Sequence, residues 1–338
     1  MSDRIPEKET TEAISELYDI KIKPLPPDTP AVHTFLWKRQ NPTKGAVGFF
    51  NIDGEYHQYE YQLVAGQPRY KLLPGLSDKF PSHILPMIDT KLGRKVIAKS
   101  GTRSGGGVVD WHDPVDEAHK AGVTEHPNIA TIHGIAADKN KEPYIVMEFL
   151  SNGTLDRWLE KDHRIEDIDN VVKGIASALE HIHTQKKLVY ADMKPFNIGF
   201  DEEWRPKILD FELAVKMSDD GYTRGARGGT PAYEAPEQVH HDRPLSVRTD
   251  VYSLATTIFS IFTDKQDGWS IKSFRDDNFE KNPESLVPFR KAYEKKLSKV
   301  QKQQISKVLH RALSAEPNDR QVSIKEFYQE WHRALTAS

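Results

Sequence analysis

The segment LVYADMKPFNIGF, residues 188–200, places three chemically useful groups close together: Asp192, Lys194 and Asn197. A carboxylate can accept a proton from an attacking hydroxyl group, and an ammonium group can neutralise a phosphoryl group during its transfer. A side-chain amide can ligate a divalent cation. The pattern is short, however, and a solvated loop without chemistry explains it about as well as a catalytic loop does.

Residues elsewhere in the chain supply what such a loop would need. The segment KILDFELA is an apolar strand that ends in an acid, Asp210, which could hold Mg²⁺ against phosphates. In RKVIAKS, Lys99 lies on a predicted strand and could contact phosphates. Glu117 lies on the next predicted helix, where it could pair with Lys99 and hold it in place. Together these residues favour phosphoryl transfer.

Several further segments occur in a fixed order along the chain: HPNI, DMKPFN, GTPAYEAPEQ, TDVYSL and EPNDR. In this order and spacing, the chain resembles the eukaryotic-type (Hanks-type) protein kinases, in the Ser/Thr branch that also occurs in bacteria. The resemblance covers residues 68–335, and chance agreement of the whole set is negligible. Lys194 and the GTPAY segment resemble Ser/Thr kinases rather than Tyr kinases.

The resemblance implies an α+β, bilobal fold, and the patterns agree with it, because strand signals come first and helical periodicity follows. The kinase domain is expected at 67–335, with a β-rich N-lobe at 67–150 and a helical C-lobe at 151–335. Residues 1–30 are expected to be a flexible N-terminus. Residues 31–66 are expected to be a strand-rich extension packed on the N-lobe, where a regulator could bind.

Local patterns predict individual elements. A short helix is expected at 10–18, a strand at 31–37 and, after it, a hairpin that turns at Asp53-Gly54. The segment HILPMIDTKLGRKVIAKS suggests a strand pair with a turn near Gly93, and helical periodicity starts near Asp113-Pro114.

The resemblance also implies roles for the site residues. Asp192 would be the catalytic base, and Lys194 would neutralise the γ-phosphate. Asn197 and Asp210 would hold Mg²⁺, or Mn²⁺ in its place. Lys99, braced by Glu117, would contact the α- and β-phosphates of ATP.

Other matched positions concern the nucleotide base and the framework. Met147 resembles the gatekeeper residue, and the backbones of Glu148 and Leu150 would bond adenine, with ordinary strand packing as the alternative. Glu237 and Arg320 would form an ion pair in the C-lobe, and Asp250 would anchor the catalytic loop.

The chain departs from the family in its loops. The positions usually taken by glycine in the phosphate-binding loop are Ser77, Lys79 and Pro81, so the phosphate contacts of this loop should be weak. The family's His-Arg-Asp is Tyr190-Ala191-Asp192. Because the arginine that binds a phosphorylated activation loop is missing, we expect a non-RD kinase whose activity is independent of that phosphorylation. Tyr190 should fill the place of the histidine.

Two further departures lie closer to the nucleotide. The family's Asp-Phe-Gly is Asp210-Phe211-Glu212, and we expect Glu212 to point to solvent. Ile97 replaces a smaller residue at the roof of the adenine pocket, and Gly199 replaces a larger one at its floor. We therefore expect the two sides of the pocket to have exchanged bulk.

The predicted function is an ATP-dependent Ser/Thr protein kinase that transfers the γ-phosphoryl group to a protein hydroxyl. A pseudokinase or scaffold that binds nucleotide or partner proteins is the alternative, and transfer of another group, such as adenylyl, is a third. Candidate autophosphorylation sites are Ser218, Thr223 and Thr230, of which Thr230 is expected to be structural. The eroded loop motifs favour a bacterial source.

Composition excludes several other classes. The chain has 47 basic and 50 acidic residues, so no general attraction to nucleic acid is expected. It has no cysteine, which excludes disulfides and thiol catalysis. The N-terminus lacks the apolar core of a signal peptide, and no run approaches the roughly 20 apolar residues of a membrane helix. We expect a cytoplasmic protein without membrane insertion, which leaves delivery into a host cell open.

Overall fold

The computed structural model describes residues 21–24, 46–52, 55–61, 69–73, 83–100, 114–122, 126–137, 143–223, 229–239, 243–263 and 285–337. The predicted glycine-loop positions, a strand predicted at 31–37 and a short helix predicted at 10–18 lie outside the described residues. The chain divides into two compact units, Met1–Lys71 and Leu72–Ser338. The domain boundary expected at residue 67 stays a prediction.

The first unit contains a three-stranded antiparallel sheet. Its strands are β1 (Lys21–Pro24), β2 (Ala46–Ile52) and β3 (Glu55–Tyr61), in the order β1-β3-β2. Strands β2 and β3 pair from Ala46↔Tyr61 to Ile52↔Glu55, as expected for the predicted hairpin, whose Asp53-Gly54 turn lies outside the described residues. Strand β1 lies within the residues expected to be a flexible N-terminus, and its backbone pairs with the free edge of β3. The expectation for residues 1–30 as a whole stays a prediction.

The sheet that carries Lys99 belongs to the second unit, except that its first strand begins two residues before the division. Its strands are β4 (Tyr70–Leu72), β5 (Ile84–Asp89), β6 (Arg94–Ser100), β7 (Ile132–Ala137) and β8 (Pro143–Glu148), in the order β4-β5-β6-β8-β7. The predicted β5–β6 strand pair with a turn near Gly93 is confirmed, and Gly93 has φ +65°. Val96 and Ala98 are buried on one face of β6. Lys99 lies on the opposite face because side chains alternate along a strand.

A helix completes this lobe. Helix α1 (Pro114–Gly122) begins with proline, which suits the first helical position because it has no N–H group to leave unbonded. It carries Glu117 toward the sheet, and Glu117 and Ala118 are buried. This is the helix that the sequence predicts to start near Asp113-Pro114.

The C-terminal lobe is mainly helical, as predicted. Its helices are α2 (Leu155–Trp158), α3 (Ile165–Gln185), α4 (Pro236–Val239), α5 (Val247–Phe262), α6 (Lys291–Lys296), α7 (Lys299–Ala312) and α8 (Ile324–Leu335). Its short strands are β9 (Leu188–Val189), β10 (Ile198–Phe200), β11 (Pro206–Ile208) and β12 (Val215–Lys216). Among the described residues, no helix combines the length and apolar composition needed to cross a bilayer.

Helix α5 forms the centre of this lobe. Its N-terminus is fixed by a capping box in which Ser246 and Thr249 each bond the other's backbone. Nearly every residue of the helix is buried, including the ionisable Asp250. Phe262 at its end packs edge-on against Tyr293 and at a tilt against Trp331 of α8. The first turn of this helix therefore places Asp250 in the interior of the lobe.

The predicted ion pair between Glu237 and Arg320 is present and fully buried. The guanidinium group donates to both carboxylate oxygens, at 2.7 and 2.8 Å, and also to the carbonyl groups of Ser314, Ala315 and Arg248. The pair thus joins the segment before α5 to the segment before α8. Because every donor and both oxygens are used, the buried charges are compensated.

Arg320→Ala would leave the Glu237 carboxylate buried without its cation. We expect it to lower the free energy of unfolding by about 3–5 kcal/mol, measured by urea denaturation. The matched control is Arg243→Ala, which removes the exposed Arg243–Glu316 pair at 3.5 Å and should cost less than about 1 kcal/mol. Equal effects of the two substitutions would contradict the structural role of Arg320.

Candidate active site

The loop that carries Asp192 is held by Asp250, as predicted. The buried Asp250 carboxylate accepts hydrogen bonds from the backbone amides of Tyr190 and Ala191, each at 2.8 Å, and lies 2.7 Å from Nε2 of His183. Two successive amides directed at one carboxylate require an unusual turn, and Ala191 has φ +64°. Gln238 donates to the Ala191 carbonyl and completes the attachment.

The three groups predicted from residues 188–200 come together around Asp192. Its Oδ2 accepts hydrogen bonds from Nζ of Lys194 and from Nδ2 of Asn197, both at 2.7 Å. Lys194 also donates to the hydroxyl group of Thr230, at 2.8 Å, which agrees with the structural role expected of Thr230. Burial raises the pKa of Asp192, although Lys194 opposes the shift. The carboxylate is therefore oriented by two donors and binds a proton more readily than an exposed aspartate does.

A second group of charges surrounds Lys99. Its Nζ lies 2.9 Å from both carboxylate oxygens of Glu117, so the predicted ion pair is present, and 2.8 Å from Oδ1 of Asp210. Burial opposes the charge on Lys99, but Asp210 and Glu117 outweigh it and hold the pKa of Lys99 above its usual range. Burial alone would raise the pKa of Asp210, yet Lys99 holds it below its usual range. Lys99 and Asp210 are thus both charged at neutral pH.

Glu212 faces this group of charges, so the expectation that it points to solvent is wrong. Its side chain is only 22% exposed, and Oε2 lies 3.9 Å from Nζ of Lys99. The turn after β11 brings it there: Asp210 has φ +50°, and the amide of Glu212 donates to Asp210 Oδ1 at 3.2 Å. The attraction of the buried ammonium group explains the orientation.

The sequence reasoning also missed Lys120. Its Nζ donates to the backbone carbonyl of Glu212 at 3.5 Å. The available signal was its position three residues after Glu117 on a predicted helix, which places both side chains on one face. Helix α1 therefore contacts the site through two side chains.

The Asp192 and Lys99 groups belong to one site. Burial is the main cause of the raised pKa of Asp192, and the negative charge of Asp210 raises this pKa further. In the other direction, Lys194 adds to the influence of Lys99 in lowering the pKa of Asp210. Catalytic-loop and Asp210 charges are therefore close enough to act on one another.

The donor set fits a divalent cation such as Mg²⁺. The amide nitrogen of Asn197 is engaged by Asp192, so its side-chain oxygen is the ligand atom it can offer. Within the described contacts, Asp210 uses Oδ1 to bond Lys99 and the amide of Glu212, so Oδ2 is the oxygen that it can offer to a cation. Carboxylate oxygens of Glu117, Asp210 and Glu212 all lie within 4.8 Å of one another. Such oxygen-rich, negatively charged surroundings are the kind that Mg²⁺ prefers.

The predicted adenine-binding segment comprises the end of strand β8 and the residues that follow it. Met147 is buried, opposite Ile97 of β6 in the strand register. The amide of Glu148 donates to the carbonyl of Thr131, so only its own carbonyl group could serve adenine. The Glu148 side chain instead accepts hydrogen bonds from the Thr131 amide at 2.6 Å and from Lys207 at 2.9 Å. The segment is thus fixed to β11 of the other lobe.

Tyr190 lies where the sequence predicts it to replace histidine. Its buried ring packs edge-on against Phe211, with ring centres 5.5 Å apart. Its hydroxyl group donates to the carbonyl of Leu209 at 2.6 Å. The tyrosine therefore links the catalytic loop to the residue next to Asp210.

Comparisons with known proteins agree with this geometry. The protein kinase domain family model matches residues 84–331, nearly three quarters of the chain. Cysteine-rich receptor-like protein kinase 45 of Arabidopsis thaliana is 31% identical over 156 residues, which are 44% of each chain. "Probable serine/threonine-protein kinase SCO3848" of Streptomyces coelicolor is 30% identical over 209 residues, 58% of this chain and 30% of the relative.

The chain spans less than half the length of these relatives and about a quarter of several others, including cysteine-rich receptor-like protein kinase 27 of Arabidopsis thaliana. The relatives come from a plant and from a bacterium, so the bacterial source stays a prediction. The family model, the bilobal α+β fold and the ordered motifs agree, and the chain belongs to the protein kinase family.

Proposed function

We propose that this chain transfers the γ-phosphoryl group of ATP to a Ser or Thr hydroxyl group of a protein. The observation that carries the proposal is a pair of neighbouring features. One is the partly buried Asp192, whose carboxylate accepts two hydrogen bonds, and the other is the Lys99–Glu117–Asp210 group beside it. The first can receive a proton, and the second can bind phosphates and a cation. The family membership and the names of the relatives support the same activity.

In the proposed step, the hydroxyl oxygen of the substrate forms a bond to the γ-phosphorus of ATP. The bond from that phosphorus to the β–γ bridging oxygen breaks, and ADP leaves. The proton of the hydroxyl group passes to Asp192, whose raised pKa suits this role. Lys194 lies 2.7 Å from Asp192, where its charge can neutralise the transferring group.

Lys99 would contact the α- and β-phosphates, with Glu117 holding the ammonium group in place. Asp210, now 2.8 Å from Lys99, and Asn197 would hold Mg²⁺, with Mn²⁺ as a substitute. When bound, the cation supplies positive charge to the phosphate oxygens. The backbone carbonyl of Glu148 and the backbone of Leu150 would bond the adenine base beside Met147.

We infer that activity is independent of activation-loop phosphorylation, as in a non-RD kinase. Ala191 occupies the position of the arginine in the family's His-Arg-Asp. It is buried in an apolar cluster with Val189 and Leu245, and Met217 packs against this cluster. Thr223 and Leu245 exchange two backbone hydrogen bonds of 2.9 Å, which fasten the described part of the activation segment. These contacts need no phosphate.

The proposed protein substrate offers a Ser or Thr hydroxyl group. The bond from Lys194 to Thr230 supports a Ser/Thr preference, because the resemblance to Ser/Thr kinases rests on these two segments. We also propose that the strand-rich extension binds a regulator and that the protein acts in the cytoplasm.

Asp192→Asn keeps the shape of the loop but removes the proton acceptor. We expect it to lower transfer from labelled ATP with Mg²⁺ by about 10²–10⁴-fold, and Asp210→Asn to lower it at least as far. Products read by mass distinguish phosphoryl from adenylyl addition. The matched control, Asp219→Asn, changes an exposed aspartate of the activation segment and should leave the rate unchanged.

Wild-type rates in Asp192→Asn would sink the proposed mechanism. A wild-type protein that binds nucleotide without transferring phosphate would favour the pseudokinase or scaffold instead.

Ser218 provides a test of the non-RD inference. Its hydroxyl group is exposed and bonds Asp220 within the local turn, whereas Thr223 is buried. We expect Ser218→Ala, and phosphatase treatment of the wild type, to change the rate by less than about twofold, because the loop lacks the arginine that would bind a phosphate. A loss of most activity after either treatment would show that phosphorylation of the segment controls the enzyme.

A further inference from the structure

Gly199 lies on β10, two residues after Asn197, and the space for its missing side chain is occupied. A Cβ atom built at Gly199 would lie 2.3 Å from Cδ1 of Leu150, far inside van der Waals contact. Other atoms of Leu150, Cβ and Cγ, would lie 3.4 Å away. The Leu150 side chain therefore fills the position that a larger residue at 199 would take.

The backbone holds this arrangement in place. The amide of Asn152 donates to the carbonyl of Phe200 at 3.2 Å, and the amide of Phe200 donates to the carbonyl of Gly153 at 2.9 Å. An isolated antiparallel bridge joins Thr154 to Gly199. The segment that follows Leu150 is thus paired with β10, so the contact between Leu150 and Gly199 is set by paired backbones.

The contact corrects the expected exchange of bulk between Ile97 and Gly199. Ile97 packs with the cluster of Ala118, Ile145 and Met147 on the Lys99 face of β6. The bulk missing at Gly199 comes instead from Leu150, at the start of the segment that joins the lobes.

We propose that the Leu150 side chain forms the surface on which the base of the nucleotide lies, and that Gly199 is required because it makes room for that side chain. The inference rests on the proposed function, since it needs a nucleotide bound beside the segment that follows β8. Leu150 then has two roles, a backbone contact at the edge of the base and an aliphatic contact with its face. An aliphatic surface has no donor or acceptor, so the base is held there by dispersion and burial.

The two positions predict a compensating pair of substitutions. In Gly199→Leu, two leucine side chains compete for one space, and we expect ATP to bind at least about tenfold more weakly. In Leu150→Ala, the aliphatic surface is lost, and we expect binding about tenfold weaker. In the double variant, the leucine introduced at position 199 supplies the methyl groups removed at position 150, and affinity should return to within about threefold of wild type.

The measurement is titration of the full chain with a fluorescent ATP analogue and Mg²⁺, followed by competition with ATP. Gly199→Ala provides a milder variant should Gly199→Leu fail to fold, because its Cβ alone already meets Leu150. Thermal unfolding without nucleotide checks that each variant is folded. The matched control is Leu92→Ala, an exposed leucine in the β5–β6 turn, which should bind as the wild type does.

The outcomes separate the two proposals. Restored ATP binding in the double variant supports the role of Leu150. With the milder substitution, the supporting result is that Leu150→Ala combined with Gly199→Ala binds ATP more tightly than Gly199→Ala alone. If the wild type binds ATP but the affinity losses of the two single variants simply add in the double variant, the role of Leu150 is overturned and the proposed function stands. A folded wild type that binds no ATP overturns the proposed function itself, and the base surface with it.

Discussion

The buried carboxylate of Asp250 is the constraint on which the rest of the site depends. A carboxylate taken out of water costs several kcal/mol unless donors surround it, and the Tyr190 and Ala191 amides and His183 supply them. Ala191 accepts a left-handed backbone, at a cost of about 1–2 kcal/mol, so that both amides reach the same group. Because Asp250 lies on helix α5, this core helix fixes the direction in which the chain enters Asp192.

Charge dominates the other half of the site. One ammonium group, on Lys99, faces the carboxylates of Glu117, Asp210 and Glu212. Burial and the neighbouring Asp210 raise the pKa of Glu117 to about 7, with Lys99 opposing them. Negative charge thus exceeds positive charge around Lys99. These carboxylates would repel a phosphate that arrived alone, whereas a divalent cation that arrives with the phosphates is attracted to them.

Those features that depend on nearby residues could be predicted from the sequence. Asp192, Lys194 and Asn197 meet because they share one short loop, and Lys99 and Glu117 meet because a strand and the next helix pack directly. Glu212 could not be placed, since its orientation depends on a charge brought by a distant strand. Leu150 over Gly199 depends on which side chain fills a space, and spacing carries no such information. Strand β1 pairs with the free edge of β3, and its four residues alone show no pattern that predicts this pairing.

The double contact of helix α1 has a mechanical consequence. Glu117 and Lys120 lie one turn apart on one face, and they hold different partners, the Lys99 side chain on β6 and the Glu212 carbonyl after β11. Because the two contacts lie at different points along the helix, a rotation of α1 about its axis would lengthen both of them. Movement of the helix would therefore disturb the Lys99 side chain and the Glu212 backbone together.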